Sequence, residues 1–383
     1  MTIGIDITPL LFWGSGVAKY TYNLVKNLLL IDKKTKYKLF FVSLKPSKNY
    51  PFLQEFKNLG AQIYHYHLPF KTLQIFWQKL NIFPIEWFIG KIDVCYANDF
   101  LRSPSKTKTI TTIHDLTWKI YPQYHTNEVI KAHEIKLKKT IKYGDTIIVD
   151  SENTKNDLLR LYPQIDKNKV FVIYPGVDEL FKPIKNKKEI EKVINKYLAR
   201  LGFSASDLEF LLYVGAIEPR KNLDIAIKTF HKLINLKTHK PDNSLNSTIN
   251  NLKFLIIGRA GWKNEKIFSL VKELKLEDRV LFLGYVEDND LPYFYSNALA
   301  TIYLSEYEGF GIPPLESAYC GTPVLLYKNS SLKELFTNKY PYTKKGEETE
   351  TLINLIKNKI NPKKYLKRDF SYKKTTEEFL KVI

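Results

Sequence analysis

The sequence predicts an α/β protein built from two doubly wound domains, each a parallel sheet covered by helices on both faces. Short runs rich in Ile, Val, Leu and Phe recur between amphipathic segments of helix length, and continuous apolar strands of this kind are typical of parallel sheets. The pattern occurs once in each half of the chain. With 383 residues, of which 44% are hydrophobic and 26% charged, the chain can form two globular cores.

The predicted strands follow one another at intervals that leave room for helices between them. In the first half they are residues 3–10, 37–43, 61–66, 91–97, 108–114, 145–151 and a strand that ends at Pro175-Gly176. In the second half they are residues 210–216, 252–258, 279–285, 299–305 and 322–327. A helical pattern at residues 17–30 follows the first strand, and the polar run at residues 237–251 is expected to be an exposed loop.

The boundary between the domains is expected where the strand ending at Pro175-Gly176 gives way to a charged, helical run at residues 184–200. The first domain is therefore assigned to residues 1–175 and the second to residues 176–369. The last segment of the chain has the pattern of a further helix.

The composition favours anionic partners and a reducing compartment. Lys and Arg total 59 against 40 acidic residues, a formal net charge of +19, which suits nucleic acid, anionic lipid head groups or the phosphates of a nucleotide sugar. The lysines are dispersed and no nucleic-acid motif accompanies them, so no nucleic-acid partner is expected. Cys95 and Cys320 are far apart and offer no disulfide framework.

The chain is expected to be cytoplasmic. Its first strand contains Asp6 and carries no basic leader, and no uncharged apolar stretch reaches the roughly 18 residues of a membrane span. The aromatic segment at residues 68–90 has two interpretations: a surface for a membrane or lipid acceptor, or two core-facing helices broken at Pro84. The second is favoured, and peripheral contact with an anionic membrane stays open.

The most informative motif is Ser305-Glu-Tyr-Glu308-Gly-Phe-Gly-Ile-Pro-Pro-Leu-Glu316, which follows a predicted strand and opens a helix. Gly309 and Gly311 allow a tight turn and let a ligand approach the backbone. The helix directs its unpaired N–H groups at the same place, which suits a phosphate. Glu308 precedes the turn and Glu316 lies about one turn into the helix. The two carboxylates can therefore accept hydrogen bonds from hydroxyl groups on different parts of one ligand.

A second motif places two adjacent cations after a strand that ends in Gly215. Arg220 supplies a planar fork of donors and Lys221 a point charge, a combination that suits a diphosphate. Cations are unfavourable at the positive N-terminus of a helix, so their placement indicates an anion between them. The alternative is two solvated basic residues.

Two weaker signals lie in the first half. Gly14 and Gly16 follow the first strand and open a helix, without the third glycine and the acidic residue of a dinucleotide fingerprint. The loop still fits a place where a ligand approaches the backbone. His114 ends a strand at the carboxyl edge of the sheet, where α/β domains bind ligands, although a lone histidine there would be structural.

One motif resembles a metal clamp. Asp288-Asn-Asp290 has the Asp-x-Asp pattern of metal-dependent sugar transferases, but it precedes a helical run, so Asp290 is expected to cap that helix. No metal site and no cofactor are predicted.

Taken together, these residues resemble the retaining glycosyltransferases of the GT-B fold, specifically the large family 4 (group 1). The similarity extends over most of the chain and includes the Gly14–Gly16 loop and residues 112–118, 149–154, 172–178, 214–222, 283–286 and 308–316. It implies two Rossmann-like domains that face each other across a cleft. The C-terminal helix, residues 370–383, would pack back on the first, acceptor-side domain, and the second domain would bind the nucleotide sugar.

The resemblance also implies a role for each matched residue of the second domain. Arg220 and Lys221 would bind the donor diphosphate and stabilise the leaving group, in a phosphate site that includes the Gly215 loop. Many relatives have a further basic residue after that glycine, where this chain has Ala216. Glu316 would hold the ribose hydroxyls. The remaining contacts would come from Glu308 and the amides of Gly309, Phe310 and Gly311 to the sugar and phosphate, and from the backbone of Tyr285 and Val286 to the base.

In the first domain, the resemblance implies that His114 approaches the donor sugar near the Gly14–Gly16 loop. The implied reaction is transfer with retention at the anomeric carbon, in which the leaving diphosphate accepts the proton of the acceptor hydroxyl. A covalent intermediate on Glu308 is the less favoured alternative.

The expected donor is GDP-mannose and the expected acceptor a glycan or glycolipid, with UDP-glucose and NDP-rhamnose as alternative donors. A nucleotide-sugar epimerase would share the architecture but would need an acid/base set that the sequence does not reveal. A non-enzymatic anion- or nucleic-acid-binding protein would explain the net charge but leave the Glu308–Glu316 pair without a purpose.

Overall fold

The computed structural model describes residues 1–98, 101–236, 251–261 and 264–383, and the polar run predicted as a loop at residues 237–251 lies almost entirely outside them. The chain divides into two compact units. The first comprises Met1–Asp178 with Phe370–Ile383, and the second comprises Glu179–Asp369. The sequence places the change of domain at residue 175, and the contacts change at Asp178.

The first unit is built on a parallel sheet of seven strands in the order β3-β2-β1-β4-β5-β6-β7. They are β1 (Thr2–Asp6), β2 (Lys36–Val42), β3 (Gln62–Tyr66), β4 (Val94–Ala97), β5 (Lys108–Ile113), β6 (Thr146–Val149) and β7 (Val170–Val172). Consecutive residues are buried where both faces are covered, as in all four residues of β4. The strand order reverses between β1 and β4, which are neighbours in the sheet.

Among the described residues of the first unit, seven α-helices accompany this sheet before the chain leaves it. They are α1 (Gly16–Ile31), α2 (Pro51–Asn58), α3 (Phe70–Gln74), α4 (Glu86–Ile89), α5 (Thr117–Ile120), α6 (Asn127–Lys142) and α7 (Glu152–Leu161), with a π-helical turn at Ile75–Leu80. The first begins after Ser15, whose hydroxyl accepts a hydrogen bond from the Ala18 N–H.

The second unit is built on a parallel sheet of five strands in the order β10-β9-β8-β11-β12. They are β8 (Phe210–Val214), β9 (Lys253–Ile257), β10 (Val280–Gly284), β11 (Ala300–Tyr303) and β12 (Val324–Leu326). Its described helices are α8 (Lys187–Leu198), α9 (Leu223–Ile234), α10 (Glu265–Glu273), α11 (Leu291–Asn297), α12 (Ile312–Tyr319) and α13 (Glu348–Lys357). Here the order reverses between β8 and β11.

The last helix, α14 (Tyr372–Leu380), belongs to the first unit. The Phe379 ring is fully buried there, 4.8 Å from the Tyr96 ring, and the Thr375 hydroxyl donates to the carbonyl of Tyr174. A side chain on Gly176 would lie 2.3 Å from the backbone nitrogen of Tyr372, so the two segments touch through their backbones.

The aromatic segment predicted at residues 68–90 has a buried and an exposed side. Its buried side chains are Leu73, Trp77, Ile85 and Ile89, which form part of one apolar cluster. Its exposed apolar side chains are Ile75, Leu80, Ile82 and Trp87. The favoured interpretation, two core-facing helices broken at Pro84, is therefore confirmed for the buried side chains and not for the exposed ones.

All twelve strands predicted from the sequence are present, and the predicted fold class of two Rossmann-like α/β domains is confirmed. Where the structure describes the chain, no helix has both the length and the apolar character needed to cross a bilayer.

Candidate active site

The candidate residues of the second unit follow the two strands on either side of the reversal in strand order. Strand β8 leads into Gly215 and on to Arg220, and β11 leads into Glu308. The carboxyl ends of parallel strands meet at one edge of the sheet, and ligands of α/β sheets bind where the order reverses.

Backbone and amide hydrogen bonds join these two segments. Arg220 and Lys221 lie in a short 3-10 turn at Pro219–Lys221. The carbonyl of Arg220 accepts a hydrogen bond from the Glu306 N–H at 2.9 Å, and the side-chain amide of Asn222 donates to the carbonyl of Leu304, also at 2.9 Å. The cation motif and the Glu308 motif therefore form one structure.

Glu308 lies between the two cations. Its Oε1 is 2.5 Å from the Lys221 Nζ, and its Oε2 is 3.1 Å from a guanidinium nitrogen of Arg220. The other end of the guanidinium binds Glu218 at 2.5 Å, and the hydroxyl of Tyr303 donates to Glu308 at 3.0 Å. The side chains of the four charged residues are only 8 to 12% exposed, so two cations and two carboxylates balance one another inside the unit.

The electrostatics of the cluster keep Glu308 ionised. Burial would raise the pKa of Glu308, but Arg220 and Lys221 outweigh it and hold the pKa at about 2. Burial lowers the pKa of Lys221, which the Glu308 carboxylate opposes. The sequence indicated an anion between the two cations, and in the protein alone that anion is Glu308.

The loop after Glu308 is held by the chain that follows β12. The Glu308 N–H donates to the Ser330 hydroxyl, and the Ser331 hydroxyl lies 2.9 Å from the Glu308 carbonyl and 2.8 Å from that of Phe310. Gly311 has a φ of 109°, and a side chain there would lie 2.7 Å from the Leu332 side chain. Helix α12 begins at the next residue, as the sequence predicts.

The remaining candidates of the second unit follow the same sheet edge. Glu316 lies in α12, is 4% exposed and accepts a hydrogen bond from the Tyr295 hydroxyl at 2.8 Å. After β10, Val286 is buried, whereas Tyr285 is 41% exposed and its ring lies 5.3 Å from the guanidinium of Arg259.

In the first unit, His114 follows β5 and has partners on two neighbouring strands. Its Nδ1 is 2.8 Å from a carboxylate oxygen of Asp150, which follows β6, and its Nε2 is 3.0 Å from the amide oxygen of Asn98, which follows β4. The Tyr20 ring contacts the imidazole edge-to-face at 5.0 Å. Burial raises the pKa of Asp150 more than the nearby imidazole lowers it.

Helix α1 connects the glycine loop with the His114 group. Gly14 has a φ of 94° and Gly16 is the first residue of α1. The same helix carries Thr21, whose hydroxyl accepts a hydrogen bond from the side-chain amide of Asn98 at 2.5 Å. Gly14 and Gly16 therefore open the helix that orients a partner of His114.

The expectation that the Asp290 side chain caps its helix is wrong. Asp290 stands at the N-cap of α11, but its carboxylate makes no capping bond. Instead it accepts hydrogen bonds from the Tyr197 hydroxyl at 2.5 Å and from Lys196 at 2.9 Å. Within the described ranges, no three His, Cys, Asp or Glu side chains lie close enough together to hold a metal ion.

Several partners of the candidate residues were missed in the sequence. The most direct are Glu218, Tyr303, Tyr295, Asn98 and Asp150. Asp150 ends a predicted strand, as His114 does, so neighbouring strands in the sheet were the signal that could have paired them. The tyrosines lie among apolar residues, where the sequence alone indicates core packing.

Two protein families match the chain. Glycosyltransferase Family 4 matches residues 14–179, and Glycosyl transferases group 1 matches residues 202–373. The chain belongs to the group 1, family 4 type of glycosyltransferases. It is accordingly an enzyme that transfers a sugar from a nucleotide sugar.

Curated relatives include bacterial mannosyltransferases. This glycosyltransferase is 25% identical over 343 residues to O-antigen chain mannosyltransferase B of Escherichia coli, which covers 88% of this chain and 84% of that protein. It is 29% identical over 243 residues to O-antigen chain mannosyltransferase RfbU of Salmonella typhimurium, which covers 63% of this chain and 58% of that protein.

Solved structures show the GT-B architecture. The Anabaena protein HepE, crystallised with UDP and glucose, superimposes with a TM-score of 0.67 at 16% identity and covers 100% of this chain and 98% of its own. WaaG, a glycosyltransferase involved in lipopolysaccharide biosynthesis, gives a TM-score of 0.60 at 15% identity and covers 99% of both chains.

Proposed function

We propose that this glycosyltransferase is a retaining, metal-independent mannosyltransferase that uses GDP-mannose and acts on a glycan or glycolipid. The observation that carries the proposal is the buried Arg220–Lys221–Glu308 cluster beside the start of α12. The choice of mannose is supported by two relatives that are named O-antigen chain mannosyltransferases.

The diphosphate of the donor is assigned to Arg220 and Lys221. A guanidinium offers paired donors to phosphate oxygens and an ammonium adds charge, so together they can stabilise the negative charge that develops on the leaving group. The amides of Gly309, Phe310 and Gly311 precede α12, whose N-terminus adds a positive end of a helix dipole.

The rest of the nucleotide is assigned to two further parts of the same unit. Glu316 is proposed to accept hydrogen bonds from the ribose hydroxyls, because it is a buried carboxylate in α12, the helix whose start is assigned to the diphosphate, and carboxylates accept such bonds well. Tyr285 and Val286 follow β10 on the same sheet edge and are proposed to meet the base.

Retention is proposed to proceed without a covalent intermediate on the protein. Glu308 lies against Arg220 and Lys221, the two cations that we assign to the leaving diphosphate, whereas a covalent nucleophile has to attack the sugar from the side opposite the leaving group. The leaving diphosphate would instead take the proton of the acceptor hydroxyl, while the cations stabilise it. His114, oriented by Asp150 and Asn98, is proposed to contact the sugar.

A lipid-linked acceptor would bring the protein to a membrane surface. The exposed apolar residues of the segment at residues 70–91 alternate with exposed Lys71, Lys79 and Lys91, a composition that suits an anionic interface. Trp87, at 67% exposed, is the side chain we expect to enter the head-group region. Cosedimentation with anionic but not with zwitterionic vesicles would support this contact. If the protein sediments with neither kind of vesicle, the proposed membrane contact is wrong.

A thermal-shift screen tests the proposed donor. GDP, UDP, ADP and dTDP and their common sugar conjugates are added without metal, because a ligand at 100 times its Kd stabilises a fold by about 2.7 kcal/mol. We expect stabilisation by GDP and GDP-mannose that is lost in Glu316→Ala. Selective stabilisation by UDP-glucose, whose nucleotide and sugar are those crystallised with HepE, would change the donor. A shift with DNA or anionic vesicles and with no nucleotide would refute the transferase site.

A further inference from the structure

The donor site of the second unit already contains an anion of its own. The Glu308 carboxylate binds Lys221 through one oxygen and Arg220 through the other, as a bridging phosphate group would. A third donor, the Tyr303 hydroxyl, serves the oxygen that faces Lys221. Both cations are therefore engaged before any donor arrives.

The charges of the cluster leave no surplus for a diphosphate. Arg220 and Lys221 are matched by Glu308 and Glu218, all with side chains at most 12% exposed. A diphosphate added to this arrangement would place its negative charge beside two buried carboxylates, and like charges in a desolvated site repel strongly. Binding is therefore favourable only if one carboxylate leaves the cations.

Glu308 is the carboxylate that can leave. Its backbone is fixed by Ser330 and Ser331, so the loop stays in place while the side chain rotates. Glu218 has a different position: it lies next to the turn that carries Arg220 and binds the far end of that guanidinium, whereas Glu308 contacts both cations. Displacement of Glu308 frees both cations, whereas displacement of Glu218 frees only part of one.

We infer that Glu308 is an internal substitute for the donor diphosphate, which occupies the Arg220–Lys221 pair in the protein alone and moves onto the donor sugar when the diphosphate binds. The inference rests on the proposed function of the cluster. The complete donor carries sugar hydroxyl groups that can donate hydrogen bonds to the displaced Glu308 carboxylate. A free nucleoside diphosphate has only the ribose hydroxyls, which are assigned to Glu316, so it leaves the Glu308 carboxylate charged and without a sugar partner next to the phosphates.

Two consequences follow for the reaction. The site prefers the nucleotide sugar over the nucleoside diphosphate product, although both carry the same phosphates. After transfer, the return of Glu308 to the cations competes with the product and accelerates its release. Glu308 thus acts on specificity and product release through the same contact.

Isothermal titration of Glu308→Gln and wild type tests the inference. Each protein is titrated with GDP and GDP-mannose, or with the pair that the thermal-shift screen selects, after thermal unfolding has shown that the variant is folded. We expect the variant to bind the free diphosphate about tenfold more tightly than wild type, because coupling between close charges at such sites is of this size or larger. Its affinity for the nucleotide sugar should not rise in parallel, so the preference for the sugar conjugate falls about tenfold.

Glu218→Gln is the matched control. It removes a carboxylate from the same cluster, so it changes the affinity for both ligands by the same factor and leaves their ratio unchanged. Tyr303→Phe provides a second variant should Glu308→Gln fail to fold, because loss of the hydroxyl that donates to Glu308 should release the carboxylate and tighten diphosphate binding a few-fold.

The outcomes separate the inference from the proposed function. An unchanged ratio of the two affinities in Glu308→Gln, or weaker diphosphate binding in both Glu308→Gln and Tyr303→Phe, overturns the substitution of Glu308 for phosphate while the nucleotide site stands. Absence of nucleotide binding by wild type overturns the site and the inference together.

Discussion

The His114 group of the first unit and the Arg220–Lys221 cluster of the second have the same plan but different charges. Both follow the carboxyl ends of parallel strands, and both set a cationic or basic side chain against a buried carboxylate. The second unit contains two cations and two carboxylates, whereas the first contains one imidazole, one carboxylate and an amide. Because of this difference, we expect the second unit to bind a charged group and the first to orient a single polar contact.

The pKa values of the buried carboxylates in the two groups, Glu308 and Asp150, are shifted in opposite directions. Cations lower the pKa of Glu308 to about 2 despite its burial, whereas burial raises the pKa of Asp150 despite the nearby imidazole. One buried carboxylate is therefore stabilised as an anion by its surroundings and the other is not. The neighbours of a carboxylate, and not its depth alone, decide its charge.

Arg220→Ala is expected to have the largest effect, because it leaves Glu308 and Glu218 to share one cation and removes a donor to the leaving group. Loss of one such donor lowers turnover by about 10²–10³-fold. Steady-state transfer kinetics measure it, alongside thermal unfolding, since removing one partner of a buried ion pair can cost about 3–5 kcal/mol. The exposed Arg160→Ala is the matched control. Activity within a few-fold of wild type in a folded Arg220→Ala would break the assignment of charge binding to the second unit.

His114→Ala is expected to have a smaller effect of a different kind. A hydrogen bond to a neutral sugar hydroxyl contributes about 0.5–1.5 kcal/mol, so kcat/KM should fall by roughly 2–10-fold. The affinity for the nucleoside diphosphate should stay the same, because the proposed contact is to the sugar. Titration calorimetry and transfer kinetics on one preparation test this. A loss of diphosphate affinity equal to the loss in kcat/KM would contradict the division of roles.

The smallest expected effect is in the pH dependence of stability, where the two carboxylates differ in sign. The pKa of Glu308 falls from 4.5 to about 2 on folding, so its contribution to stability is present above pH 4.5 and is lost as the pH falls toward 2. The pKa of Asp150 is raised from 3.8, so its contribution is present below pH 3.8 and is lost as the pH rises through the higher value.

Denaturant unfolding of Glu308→Gln and Asp150→Asn between pH 2 and pH 7 measures these contributions as differences from wild type. The stability deficit of Glu308→Gln should shrink as the medium becomes acidic, and that of Asp150→Asn should grow. Parallel curves for both variants would show that the two carboxylates do not differ in this way.

The architecture was predictable because buried parallel strands are continuous apolar runs, which the sequence displays twelve times. The meeting of Arg220, Lys221 and Glu308 was predictable because their motifs follow strands, and the carboxyl ends of strands share one edge. The sequence also indicated an anion between the cations. It did not identify that anion as Glu308, since an ion pair across 87 residues depends on the order of the strands.

The environment of His114 was not predictable for the same reason. Asp150 and Asn98 reach it because β4, β5 and β6 are adjacent in the sheet, and adjacency is a property of topology and not of spacing. Asp290 shows a related failure. Its position before a helix predicted a cap, but Tyr197 and Lys196 on another helix compete successfully for its carboxylate.

A crystal structure with the nucleoside diphosphate that gives the largest thermal shift would show whether Glu308 and the diphosphate compete for the same two cations. We expect the β-phosphate within hydrogen-bond distance of both Arg220 and Lys221, with the Glu308 carboxylate moved away from the two cations. A diphosphate bound elsewhere on the protein, with Glu308 still between Arg220 and Lys221, would contradict it.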